Sequence, residues 1–143
     1  RGLGDVYKRQ FMLGAVGVQL GTRFLVAKEC GVHQNYKNKV LKANDIATMS
    51  TGKRLGHPVR SIKNPYTKEY FKLEYSNISD EELEAYGRGS LYRAAVEGDE
   101  KTGCFLAGQI AGMVNKEQTA KEIIEEIFTQ AEDVLKGATK WVK

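Results

Sequence analysis

Little in this 143-residue sequence points to a stapled, membrane-spanning or nucleic-acid-binding protein. Two cysteines, Cys30 and Cys104, make no disulfide framework, and neither sits in a CxxC or Cys/His spacing that a metal requires. A reducing, cytoplasmic setting is the expectation. No stretch approaches the roughly 18 apolar residues of a membrane span, and no charged, apolar and small-residue succession marks a secretory leader. The net charge of +4 comes from 22 basic and 18 acidic side chains scattered along the chain, with no basic block interleaved with aromatics. That excludes the usual footprint of a nucleic-acid binder. Prolines number two, and no Ser/Gly/Pro-rich or like-charge run marks a disordered linker, so most of the chain is expected to fold.

What is present is patterned. Residues 1–10 carry no helical or strand period and are read as non-native, so they stay outside the fold reasoning. From Phe11 an apolar helix end gives way to Val16-Gly17-Val18-Gln19-Leu20, an apolar run of the kind a strand shows when helices cover both its faces. Gly21-Thr22 ends it, and a short helix is expected over 23–29. A further helix near 35–43 buries Tyr36, Val40 and Leu41. Residues 46–62 read as extended and loop structure, with β-compatible pieces at 46–49 and 59–62. Asn64-Pro65 is a cap with proline at the first helical position, predicting a helix to about Tyr75. Ser79 with Glu82 is a capping box for a helix that pauses at Gly87 and Gly89 and resumes through Val96. Asn115 with Gln118 is read as the cap of the last helix, whose stripe is Ala120, Ile123, Ile124, Ile127, Phe128, Ala131, Val134 and Leu135, with Gly137 as its stop. One strand among about five helices cannot make a sheet, so further strands are expected upstream.

A strand, Gly-Thr and a short helix can hold a phosphate through backbone N–H groups, and equally can be an ordinary turn. His33 and His57 lack acidic partners at ligand spacing and read as polar loop residues. Arg60 is expected in a surface salt bridge, with an acidic carrier or nucleotide phosphate as the other reading. Tyr66, Tyr70, Phe71 and Tyr75 read as helix packing, Gly108 and Gly112 as close backbone approach, and Cys104 as a small buried residue.

Several motifs in order carry a resemblance: Phe11-Met12-Leu13-Gly14-Ala15, Val18-Gln19-Leu20-Gly21-Thr22-Arg23-Phe24, Ala27-Lys28-Glu29, Asn35-Tyr36-Lys37, Ile62-Lys63-Asn64, Val96-Glu97-Gly98-Asp99 and Ala107-Gly108-Gln109-Ile110-Ala111-Gly112. The sequence from Phe11 onward resembles the later part of the FMN-dependent enoyl-acyl-carrier-protein reductase II family, within the wider group of nitronate monooxygenases. The resemblance implies an α/β fold: the C-terminal part of a TIM barrel, with 11–45 as the last barrel strand, phosphate turn and following helices, 46–112 as a mostly helical excursion, and 113–143 as a terminal helix packing back. It implies that Gln19, Leu20, Gly21 and Thr22 contact the FMN phosphate and that Ala107, Gly108 and Gln109 approach the substrate cavity. It further implies NADH or NADPH as reductant, an enoyl thioester on acyl carrier protein as partner, and allows a homodimer in the full-length protein. The family's catalytic His and its other Gly-rich phosphate loop have no counterpart here, so this chain alone is expected to be inactive. Nitronate oxidation by O₂ is the alternative chemistry, and a self-contained helical interaction module the alternative class.

Overall fold

A computed structural model describes residues 9, 10 and 12–138. Its elements in chain order are α1 (Thr22–Leu25), α2 (Gln34–Leu41), β1 (Thr48–Thr51), β2 (Val59–Ile62), α3 (Pro65–Glu74), α4 (Asp80–Gly87), α5 (Ser90–Tyr92) running into a π-helical turn (Arg93–Glu97), a 3₁₀ turn (Gln109–Met113) and α6 (Ala120–Ala138).

Local capping signals fall where the side chains allow. The Asn64 side chain accepts from the Thr67 N–H at 2.9 Å while the Thr67 hydroxyl accepts from the Asn64 N–H at 2.8 Å, and Pro65 occupies the first turn of α3, where its missing N–H costs nothing. Asn64 also donates to Gly103 O at 2.7 Å, tying the start of α3 to the chain's return. Ser79 and Glu82 exchange the same pair of bonds at α4, whose first turn carries Asp80, Glu81 and Glu82 toward the positive end of the helix.

The strands β1 and β2 form an antiparallel hairpin in the register Thr48↔Ile62 to Thr51↔Val59. Leu106 bridges Ser61 on the far edge, and Ile62 N–H donates to Phe105 O at 2.8 Å, so the segment 105–107 lies along β2. One apolar core gathers Val26, Tyr36, Val40, Ile62, Ala94, Phe105, Ala107, Ala111 and Val114, with Phe105 fully buried and Tyr36 edge-on to it at 5.0 Å. A second, Tyr66, Tyr70, Leu83 and Cys104, packs α3 on α4; Tyr66 stacks on Tyr86 at 5.4 Å. Phe71 and Tyr75 pair with each other on the surface and not in the core.

Three expectations are corrected. Val16–Leu20 is no strand: it joins no ladder, and Val16 is fully exposed. A strand exists only where neighbouring N–H and C=O groups complete its hydrogen bonds, and none of the described residues offers them. The cap of α6 is Thr119 with Glu122, not Asn115 with Gln118: Thr119 N–H donates to Glu122 Oε2 at 2.7 Å and Glu122 N–H to Thr119 Oγ1 at 3.2 Å. Gln118 is occupied elsewhere, its carbonyl accepting from Lys28 N–H at 2.9 Å and its side chain from Arg23. Helix α6 passes through Gly137 to Ala138, so that glycine is no stop.

Of the α6 stripe, Ile123, Ile127 and Ala131 are buried, with Ala27, Val18, Leu20 and Phe24 among the residues around the first two. Ile124, Phe128 and Leu135 stay exposed at 41% or more. Among the described residues nothing covers this half of the stripe. No described helix is long and apolar enough to cross a membrane.

Candidate functional site

The short helix α1 turns its first two side chains inward, and each fastens a distant segment. Arg23, 4% exposed, donates to Lys116 O at 3.2 Å and to the Gln118 side chain, holding the approach to α6. Thr22, 8% exposed, accepts at Oγ1 from the Gly108 N–H at 2.9 Å. That bond joins two segments that local sequence reading kept apart, the Gly21-Thr22 turn and the Ala107-Gly108 turn.

The second turn is fixed from three further sides. Ala107 N–H donates to Arg60 O at 3.1 Å, and the Tyr36 hydroxyl donates to Leu106 O at 2.7 Å. A side chain at Gly112 would bring its Cβ to 2.8 Å from the Asn44 carbonyl carbon, so the 3₁₀ turn presses on the chain after α2 as the Gly-x-x-x-Gly spacing predicts. Helix α2 is itself anchored. Its cap His33 accepts from Asn35 N–H at 3.1 Å, and the buried Lys37 ammonium donates to Ala27 O at 2.8 Å and pairs with Glu117 at 3.3 Å.

These ties frame a cleft of about 400 Å³ lined by Gly21, Thr22, Leu25, Tyr36, Arg60, Leu106, Ala107 and Gly108. Gly21, Thr22, Ala107 and Gly108 thus meet in one place. Leu20 faces away, into an apolar cavity of about 300 Å³ between residues 16–24 and α6. Gln19 and Gln109 are exposed and do not line the cleft. Arg60 and Tyr36 do line it, although the sequence suggested a surface ion pair for one and a core position for the other. Arg60 makes no ion pair with any described residue; its Nη1 donates to Thr48 Oγ1 at 3.2 Å. The available signal was the period of two in β2, which sends Arg60 and the buried Ser61 to opposite faces.

Among the described residues that line the cleft there is no carboxylate and no imidazole. Burial pushes the Tyr36 phenol far above its ordinary range, so it stays a hydrogen-bond donor. Among the described residues that line the cleft, Arg60 is the one charged group. Because Thr22 Oγ1 is an acceptor toward Gly108, its own O–H hydrogen remains free to donate. At Gly21, among the described residues other than its chain neighbours, no atom lies within 4 Å of where a Cβ would stand, so a ligand can approach the backbone there. Helix α1 is a single turn and its dipole adds little. The donors and the lone cation suit an anionic group, and they fit the phosphate of FMN. Cys104 is buried, and burial raises its thiol above the ordinary value, which disfavours the reactive thiolate. His33 is spent as a cap.

A cleft that combines backbone, hydroxyl and guanidinium donors, in a mixed helix and strand frame, is the site this chain presents. Residues 5–130 match the family described as nitronate monooxygenase, and the chain belongs to that family. It is similar to the probable nitronate monooxygenase of Staphylococcus haemolyticus (strain JCSC1435), 30% identical over 122 residues, which are 82% of this chain and 34% of that protein. The probable nitronate monooxygenase of Bacillus subtilis (strain 168) is 26% identical over 120 residues, 84% of this chain and 35% of the relative. Among solved structures, FabK from Thermotoga maritima superposes with a TM-score of 0.92 at 37% identity, covering 97% of this chain and 44% of that one. The chain therefore spans about a third of the length of the curated relatives it matches.

Proposed function

We propose that this chain contributes the phosphate-holding cleft of an FMN-dependent oxidoreductase that reduces trans-2-enoyl thioesters on acyl carrier protein with NADH or NADPH, in fatty acid synthesis. The observation that carries the reading is the Thr22–Gly108 hydrogen bond, which sets both segments that the resemblance implicates on one cleft. The likeness to FabK, of the enoyl-acyl-carrier-protein reductase II type, at 37% identity over nearly the whole chain supports the reductase chemistry. A TIM barrel completed by further strands is part of the same proposal.

FMN, when bound, would supply the hydride-transfer chemistry between NAD(P)H and the thioester. This chain's residues bind and orient. The Thr22 hydroxyl would donate to a phosphate oxygen, Gly21 would let the phosphate reach the backbone, and the Thr22–Gly108 bond would hold the Ala107-Gly108 turn beside it. The Tyr36 hydroxyl donates to Leu106 O and so restrains that wall of the cleft. Gln19, Leu20 and Gln109 remain proposed contacts that depend on parts of the enzyme packing against them.

The family description and the curated relatives favour a second reading, oxidation of alkyl nitronates by O₂ on the same flavin. The two separate in one experiment on the full-length gene product. The reductase reading expects NAD(P)H consumption with a crotonyl thioester and bound flavin in the purified protein; oxygen uptake that depends on nitronate, with no thioester reduction, would sink it.

A further inference from the structure

Among the described residues, several cations are held by carboxylates or backbone carbonyls. Lys37 is held by Glu117 and two carbonyls, Arg54 by Asp80 and the carbonyls of Ser76 and Ile78, and Arg23 by Lys116 O and Gln118. Arg60 meets only a neutral hydroxyl: a single hydrogen bond from Nη1 to Thr48 Oγ1 leaves Nη2 and Nε of the guanidinium without a partner among the described residues. The strand β2 fixes its position. Arg60 pairs with Ser50 in the hairpin and its carbonyl accepts from Ala107 N–H at 3.1 Å, one residue from the Gly108 that Thr22 holds. A half-buried cation is thus fixed at its backbone, steadied at one nitrogen, and set in the lining of a cleft to which none of the described residues contributes a carboxylate. A planar fork of this kind matches two oxygens of a phosphate at once.

We propose that Arg60 is a specificity-determining residue of this cleft that receives a phosphate group, beyond the Gly21-Thr22 turn. The inference rests on the functional reading above, since that reaction brings phosphate in three molecules: the flavin, the nicotinamide dinucleotide, and the phosphopantetheine arm of the thioester. Their shared chemistry is what the guanidinium recognises.

The test uses the full-length enzyme with Arg60→Gln and Arg60→Lys. Three constants are measured for each: the dissociation constant of FMN, the KM for NAD(P)H, and the KM for crotonyl-coenzyme A set beside that for the N-acetylcysteamine thioester, which lacks phosphate. Loss of a charge-assisted fork is expected to weaken one of the phosphate-bearing ligands about tenfold or more, and to leave the N-acetylcysteamine KM unchanged. Arg60→Lys keeps the charge without the fork and is expected to recover part of the loss, with a stronger dependence on salt. All three constants within twofold of wild type would overturn the proposal, as would an equal loss with the phosphate-free thioester, the mark of a purely structural role. If Arg60→Gln does not fold, Arg60→Lys decides by the same constants. If the wild-type protein holds no flavin, the functional reading fails by itself. Arg60 is then judged by calorimetry with pyrophosphate, where equal affinity of wild type and variant overturns it.

Discussion

Replacing Gly98 by alanine strikes the turn that fastens α2, the helix that brings Tyr36 to the cleft. Gly98 has φ 65° and ψ 24°, a left-handed conformation that costs an alanine about 1–2 kcal/mol. The new Cβ would stand 2.1 Å from His33 Nδ1, the atom that accepts from Asn35 N–H at 3.1 Å and caps α2. The imidazole must leave, and loss of an N-cap costs about 1 kcal/mol. The Asn35 side chain also donates to Gly98 O at 3.0 Å, a bond worth about 1 kcal/mol that a shifted turn breaks. Gly98→Ala is therefore expected to destabilise by about 3–4 kcal/mol. His33→Ala alone is expected to cost about 1 kcal/mol, the cap alone. Combining them removes the imidazole that the methyl collides with, so the double variant is expected to lose only about 2–3 kcal/mol, less than the separate losses together. Urea unfolding of the four full-length proteins measures this cycle. Strict additivity would show that the imidazole is no obstacle to the methyl and would refute the packing argument.

Thr22→Val keeps the shape of residue 22 and removes the acceptor for Gly108 N–H, which should cost about 1–2 kcal/mol and lower the flavin retained on purification, whereas Thr22→Ser should preserve both; unchanged unfolding and flavin content in the valine variant would contradict the site. Glu117 is held below its ordinary value of 4.5 by the hydrogen bond from Gln34 and then by Lys37. A depressed folded-state value means that its contribution is fully present above about pH 4.5 and fades as the pH falls through the folded-state value. Acid denaturation of Glu117→Gln should then show a shallower fall in stability below that pH than wild type, and equal slopes would argue that the carboxylate has no stabilising partner.

Local chemistry was legible because its partners lie within one helical turn. Asn64 with Thr67 and Ser79 with Glu82 satisfy backbone N–H groups three residues apart, so the sequence order already contains the geometry. The misplaced cap of α6 shows the limit of that logic. Asn115 and Gln118 have the right spacing, but Arg23, Ala27 and Lys28 claim Gln118 from far along the chain, and the start moves to Thr119 with Glu122. Val16–Leu20 shows another limit, since apolar composition says that a segment wants burial and pairing but not whether a neighbour supplies them.

By itself the sequence determined where most helices lie, the caps at Asn64 and Ser79, and the ordered motifs that the family match over residues 5–130 bears out. Only the tertiary structure decided that Thr22 and Gly108 share a hydrogen bond across 86 positions, and that Arg60 faces the same cleft without a counter-charge. Contacts of that range depend on how the hairpin, α2 and the 3₁₀ turn pack together, and no local spacing encodes that packing.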